Sequence, residues 1–262
     1  TSLSPTAPCL GYSPQRLNET GTLMRPHHTM AQFVRLVIAA GSLMTMICVG
    51  TLWPDRVPGA EEAESDPHHQ RQWTFDSSSP GMLPGSYVIG TLFDGRPAGE
   101  WKILITDRAK SASQVLAQLQ AKGTDQTHKL LLFEGTESAN LDVEVSYLAV
   151  AGKADLGGGL LWRAKDDRNY YLLRPSLVEQ KIRVYRVVNG VQQIVKQVDR
   201  PLPATGWHKL RIVQRGCEMK AIFDDAVLFR VCDTTYTSGR IGLWTKADAV
   251  TYFDDLTLKV LD

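Results

Sequence analysis

Two carboxylates two residues apart on an extended segment point the same way, so a strand can offer an acid and a base to one bond. The chain has such a pair in Asp142-x-Glu144, but Ser146 follows it and no third acid completes the row. A solvated strand face is its first reading, with a catalytic or ligand-binding dyad as the alternative. Of the histidines, His27, His28, His68 and His69 precede the patterned part of the chain, which leaves His128 and His208. Neither has a second His or Cys at metal-ligand spacing. His208 beside Trp207 is expected to have a structural role at the start of a strand. Gly157-Gly158-Gly159 is followed by no helix whose N-terminus could cradle a phosphate, so close backbone packing is its expected use. No nucleophile-elbow serine motif is present.

The more suggestive constellation is basic and aromatic. Arg163, Tyr170, Arg174, Arg183 and Tyr185 fall on three successive candidate strands. Alternation can place Tyr170 with Arg174, and Arg183 with Tyr185, on shared faces. Aromatic rings stack on the CH faces of sugars, and arginine forks bind hydroxyls or carboxylates. Trp244-Thr245-Lys246-Ala247-Asp248, with its ring and flanking charges, is the second candidate, through Trp244 and Lys246. Mixed surface and cross-strand pairs are the competing explanation for all seven residues. Calcium is the one cofactor considered: Asp76 near the start of the domain and Asp254 or Asp255 near its end become neighbours if the terminal strands pair, and hard oxygen ligands suit that ion.

The elements that must position these residues are strands. From Trp73 to Asp262 short alternating runs recur between Gly, Asp, Asn and Pro clusters, the clearest being Leu141 to Val150. Further strands are expected near Trp101–Ile105, Leu130–Phe133, Gly159–Arg163, Tyr170–Arg174, Ile182–Val188, Gln192–Val198, Trp207–Gln214, Met219–Phe223, Val227–Val231, Arg240–Trp244 and Val250–Val260. Asn189-Gly190 marks a tight hairpin. So many strands split into two antiparallel sheets stacked face to face. For the hairpin around Asp224, a loop of Asp224 to Ala226 sets Phe223 against Val227, Ala221 against Phe229 and Met219 against Val231, all on one apolar face. Cys217 then points inward and Cys232 outward, so free thiols are expected.

Formal net charge is +1, with 29 Lys and Arg against 28 Asp and Glu, so nothing in the charge balance points to nucleic acid. Residues 1–29 read as an upstream or unstructured segment. Within residues 30–60, Arg35 precedes the uncharged run Leu36 to Leu52, an export signal that lies between the lengths of a cleaved signal peptide and a membrane anchor. The expected location is therefore periplasmic, secreted or cell-envelope, with membrane attachment only if the run stays uncleaved. Residues 61–72 read as a linker and 73–262 as the domain.

The blocks GGGLLWR from Gly157, DRNYY from Asp167, WHKLR from Trp207 and GLWTKADAVTYFDDLTL from Gly242 resemble the 3-keto-disaccharide hydrolase domain family. That family is a branch of the concanavalin A-like lectin and glucanase superfamily related to laminin-G-like modules. The resemblance implies an all-β jelly-roll sandwich with a convex and a concave sheet, the concave one facing carbohydrate or a glycosylated partner. Members commonly carry Asn-Pro after the arginine matching Arg174, where this chain has Pro175-Ser176. The Glu-x-Asp-x-Glu strand of the superfamily's laminarinase-type hydrolases is absent. Glycan binding without laminarinase-type catalysis is the expected function. The alternatives are a glycoside hydrolase acting on 3-keto-disaccharides or related sugars, and a structural cell-envelope module.

Overall fold

The computed structural model describes residues 70–83, 86–92 and 99–262; the export run and the segments before it lie outside them. In chain order the strands are β1 (Gln70–Trp73), β2 (Tyr87–Leu92), β3 (Trp101–Ile105), β4 (Gln114–Gln118), β5 (His128–Phe133), β6 (Leu141–Ala151), β7 (Gly159–Asp166), β8 (Asn169–Ser176), β9 (Lys181–Val188), β10 (Val191–Asp199), β11 (Trp207–Arg215), β12 (Glu218–Phe223), β13 (Ala226–Cys232), β14 (Arg240–Lys246) and β15 (Val250–Val260). They form two antiparallel sheets. One has eight strands ordered β13-β12-β11-β6-β15-β4-β3, with β1 beside β15, and the other has seven, ordered β10-β9-β8-β7-β14-β5-β2. The sandwich is a jelly roll, and β1 starts three residues before the expected boundary at Trp73.

Alternation divides each strand between two environments. Val143, Val145 and Tyr147 of β6, Leu210 and Ile212 of β11, and Leu160 and Trp162 of β7 meet in the main core between the sheets. The seven-stranded sheet also has an apolar opposite face, where Leu130, Leu132, Leu161, Tyr170, Leu172, Val187 and Trp244 form a second buried cluster. This opposite face is the one expected to be concave. Register is lost in β7 between Trp162 and Asp166, and Arg163 there takes a left-handed φ of 48°. The tip of the β7–β8 hairpin then swings back over the concave face to edge strand β2: a Cβ placed on Gly90 would lie 2.5 Å from the Asp167 Cβ. The β9–β10 tip follows, with Gly190 N–H donating to the Arg168 carbonyl at 2.8 Å.

The cysteine expectation is corrected. Cys217 and Cys232 form a disulfide, with Cα atoms 4.8 Å apart. Met219↔Val231 and Ala221↔Phe229 pair as expected, but the tip is the two-residue turn Asp224-Asp225, both with positive φ, and a bulge near Leu228 restores the register. Cys217 lies in the β11–β12 turn beside Gly216. Outside the strand it is free of the alternation that seemed to turn it away from Cys232.

Candidate functional site

Six of the seven expected ligand-binding residues reach the concave face. On β8, Tyr170, Leu172 and Arg174 share that face, and they pair with Val187, Tyr185 and Arg183 of β9. Trp244 and Lys246 come from β14, where Lys246 pairs with His128 of β5. Trp244 is the hub. The His128 ring stands edge-on to it, centroids 5.2 Å apart, and the Arg174 guanidinium lies 5.6 Å from its ring. Arg163 is the exception. It is buried and donates four hydrogen bonds to the carbonyls of Ala139, Tyr236 and Gly216, which pins the β7 bulge to neighbouring loops.

The cations of this face already have acids. Arg174 Nη2 donates to Asp155 Oδ1 at 2.7 Å and its Nη1 to Glu179 at 3.3 Å. Arg183 lies 2.5 Å from the second Glu179 oxygen and also donates to Gln197 and the Tyr185 hydroxyl. Lys246 has Asp125 at 3.9 Å. Against a desolvation that disfavours its charge, Asp155 first and then Tyr185 and Glu179 keep Arg174 firmly protonated. Burial, aided by Lys246 and Arg174, pushes the His128 imidazole down to about 3, so it is neutral under ordinary conditions.

Donors and acceptors remain in the face. The Tyr170 hydroxyl, the Trp244 indole N–H, Arg174 Nε and Gln192 Nε2 are buried with no hydrogen-bond partner. The Trp244 N–H lies near enough to the Tyr170 hydroxyl to oppose the upward shift that burial imposes on its pKa, yet no bond of normal geometry joins them. A cavity of about 280 Å³ is lined by Asp125, Gln126, His128, Gly190, Val191 and Gln192, so that of these groups Gln192 Nε2 reaches it and Trp244 meets it through the His128 ring. Sequence reasoning missed His128, Asp155, Glu179 and Gln192. Alternation along β5 put His128 on the same face as Leu130 and Leu132, and that signal was readable. Asp155 and Glu179 sit in irregular segments that carry no period.

The remaining candidates lie away from this face. Asp254 accepts from the Lys110, Ser111 and Asp255 N–H groups and the Ser111 hydroxyl, and Asp76 accepts from the Ser113 and Gln114 N–H groups. On Asp254, donors to both oxygens stand where a calcium ion would need lone pairs. Among the described residues no group of three His, Cys, Asp or Glu side chains could hold a metal. Asp142 and Glu144 share the outer face of β6, with Arg211 bidentate on Asp142 and Lys209 beside Glu144. His208 bridges Asp224 and the Pro203 carbonyl at the start of β11.

No family model matches the chain, and no curated protein matches it. Solved structures share its fold. A carbohydrate-binding module of family CBM66 from Bacillus subtilis superposes with a TM-score of 0.51 at 19% identity, over 62% of this chain and 91% of that one. A protein of unknown function with a galectin-like fold, also from Bacillus subtilis, gives 0.47 at 12% identity over 67% and 90%. Domain 4 of a GH43 extracellular arabinanase from Geobacillus stearothermophilus, solved with arabinotriose, gives 0.45 at 11% identity over 67% and 82%. The chain thus shares the architecture of the CBM66 module.

Proposed function

We propose that this chain is an exported glycan-binding module that takes a neutral sugar on its concave face. The observation that carries the reading is the set of buried, unpartnered polar groups on this face, the Tyr170 hydroxyl, the Trp244 N–H, Arg174 Nε and Gln192 Nε2, beside cations that are already paired. Hydroxyls of a saccharide can complete such groups, beginning with Gln192 Nε2 in the cavity wall, while the buried Trp244 supports the His128 ring that lines it. The pairing of Arg174, Arg183 and Lys246 with acids disfavours an anionic sugar. The cavity lies at the small end of the ~300–1,000 Å³ usual for ligand sites, which suits one terminal sugar rather than a chain lying along a groove. The CBM66 likeness supports a sugar-binding jelly roll, and the Arg35-flanked run together with a disulfide suits an oxidising compartment. Hydrolysis, including on 3-keto-disaccharides, is less well supported, because Asp155 and Glu179 are both bound to Arg174.

A glycan array on the full chain, followed by calorimetry on the hits, tests this. Tyr170→Phe removes one hydroxyl and Trp244→Phe removes the indole N–H with two ring carbons, and each is expected to weaken binding at least tenfold, about 1.4 kcal/mol, with the fold intact. Unchanged affinity in both, with both folded, would remove the concave site; product formation from a bound disaccharide would turn the reading to hydrolysis.

A further inference from the structure

We infer that the outer face of the eight-stranded sheet holds a second saccharide site, in a cleft of about 390 Å³ lined by Gln70, Asp142, Glu144, Arg211, Thr257 and Lys259. Four strands supply it in two adjacent cross-strand rows. Gln70 pairs with Lys259 and Lys259 with Asp142; Thr257 pairs with Glu144 and Glu144 with Arg211. Their chain neighbours Val143, Ile212 and Leu258 are buried in the core, so alternation turns all six outward. The cleft lies on the opposite face of the sandwich from Trp244 and does not depend on the concave site.

Its chemistry selects the ligand class. Arg211 is fixed by two bonds to Asp142, 2.7 and 2.6 Å, and Lys209 lies 3.3 Å from Glu144. These contacts leave Arg211 Nη1 and several carboxylate lone pairs for a ligand. Two acids and two bases line the cleft, so an anion meets Asp142 and Glu144 while a cation meets Arg211 and Lys259. A neutral polyol has no such conflict, since each hydroxyl donates to a carboxylate and accepts from a neighbouring cation or from Gln70. The volume lies within the range of small-molecule sites. No aromatic ring lines the cleft, so its affinity should be below that of a site with a stacking platform.

Amide NMR of the full chain separates the two faces. The probes are neutral gluco-, xylo-, arabino- and fructo-oligosaccharides, with an oligogalacturonide and magnesium chloride as charged comparisons. Amides of Asp142, Glu144, Arg211, Thr257 and Lys259 should shift together with a neutral oligosaccharide and not with the charged probes. Thr257→Trp fills the cleft from a solvent-facing position without touching an ion pair, and it should abolish those shifts while leaving any around Trp244 unchanged. Should that variant fail to fold, Glu144→Gln should weaken the same shifts at least fivefold. The inference is overturned if no neutral oligosaccharide moves these amides, if only a charged probe does, or if the shifts survive the substitutions. Shifts around Trp244 alone would overturn it and leave the concave reading standing; shifts on the outer face alone would do the reverse.

Discussion

His128 shows how one side chain can link the concave face to solution conditions. Its imidazole is held down to about 3 by burial, by Lys246 and by Arg174, whereas in the unfolded chain it titrates near 6.5. Between these values the unfolded state binds a proton that the folded state refuses, so stability rises with pH across that window and is fully present above its upper edge. Acidification to about pH 4.5 should cost up to about 2–3 kcal/mol on this account. Asp233 is pushed down to about 2, the Thr235, Tyr171 and Arg186 contacts outweighing its burial. Its contribution is lost only as pH falls from near 4 toward 2, mostly below the histidine window. Thermal melting from pH 7 to 4.5 should therefore fall steeply in the wild type and less steeply in His128→Gln; parallel curves would show that His128 is accessible to protons. Arg163 gives the contrasting case. Its aromatic neighbours in the sequence suggested a ligand, but the structure gives all its bonds to backbone carbonyls. Arg163→Met should cost about 3 kcal/mol, because it leaves buried acceptors unpaired. Glycan affinity of the folded fraction should be unchanged, whereas a selective loss of affinity would restore Arg163 to the site.

At the level of elements, what could be read depended on periodicity. Leu141 to Val150 alternates cleanly and is β6 almost to the residue, and Trp101–Ile105 is β3. The strands not anticipated are β1, β2 and β4. In β4 every residue is buried, glutamines included, so no polar face marks it as a strand. The shared face of Tyr170, Arg174, Arg183 and Tyr185 was legible because it needs only a period of two. The acids that neutralise those arginines were not, since Asp155 and Glu179 lie in irregular chain. The disulfide was missed for a related reason, as a bulge and a turn residue escape strand parity. It closes a loop of sequence separation 15, and chain-entropy arguments give such a link about 3 kcal/mol. The double variant Cys217→Ser, Cys232→Ser should melt lower by roughly that amount, and reductant should lower the wild type equally while leaving the variant unmoved. A wild type indifferent to reductant would mean that the thiols are unpaired in solution.

Across the whole molecule, the second apolar cluster is what distinguishes this sandwich from one with an open sugar groove. Sequence reading placed the apolar residues of β5, β7 and β14 in strands but could not show that the sheet curls until the Asp167 tip approaches Gly90, because that contact joins residues far apart in the chain. Trp244 and Tyr170 are buried under this closure, and a small cavity opens near His128. Glycine is what permits the approach, since any Cβ at position 90 meets the Asp167 Cβ rather than the movable end of a side chain. Gly90→Val should therefore push the β7–β8 tip off β2 while preserving the β2–β5 pairing, because a β-branched residue suits an edge strand. The expected result is a modest fall in melting temperature, a gain in fluorescence of a dye that binds exposed apolar surface, and faster hydrogen exchange at Arg168 and Gly190, with β6 and β11 unaffected. If the tip also limits access to the concave face, glycan association should quicken in the same variant, and dissociation should quicken more because the cavity wall has been lost. A variant that melts, stains and exchanges like the wild type would show that the two edges are not held together in solution, and the concave face would then have to be treated as an open groove able to take a longer chain.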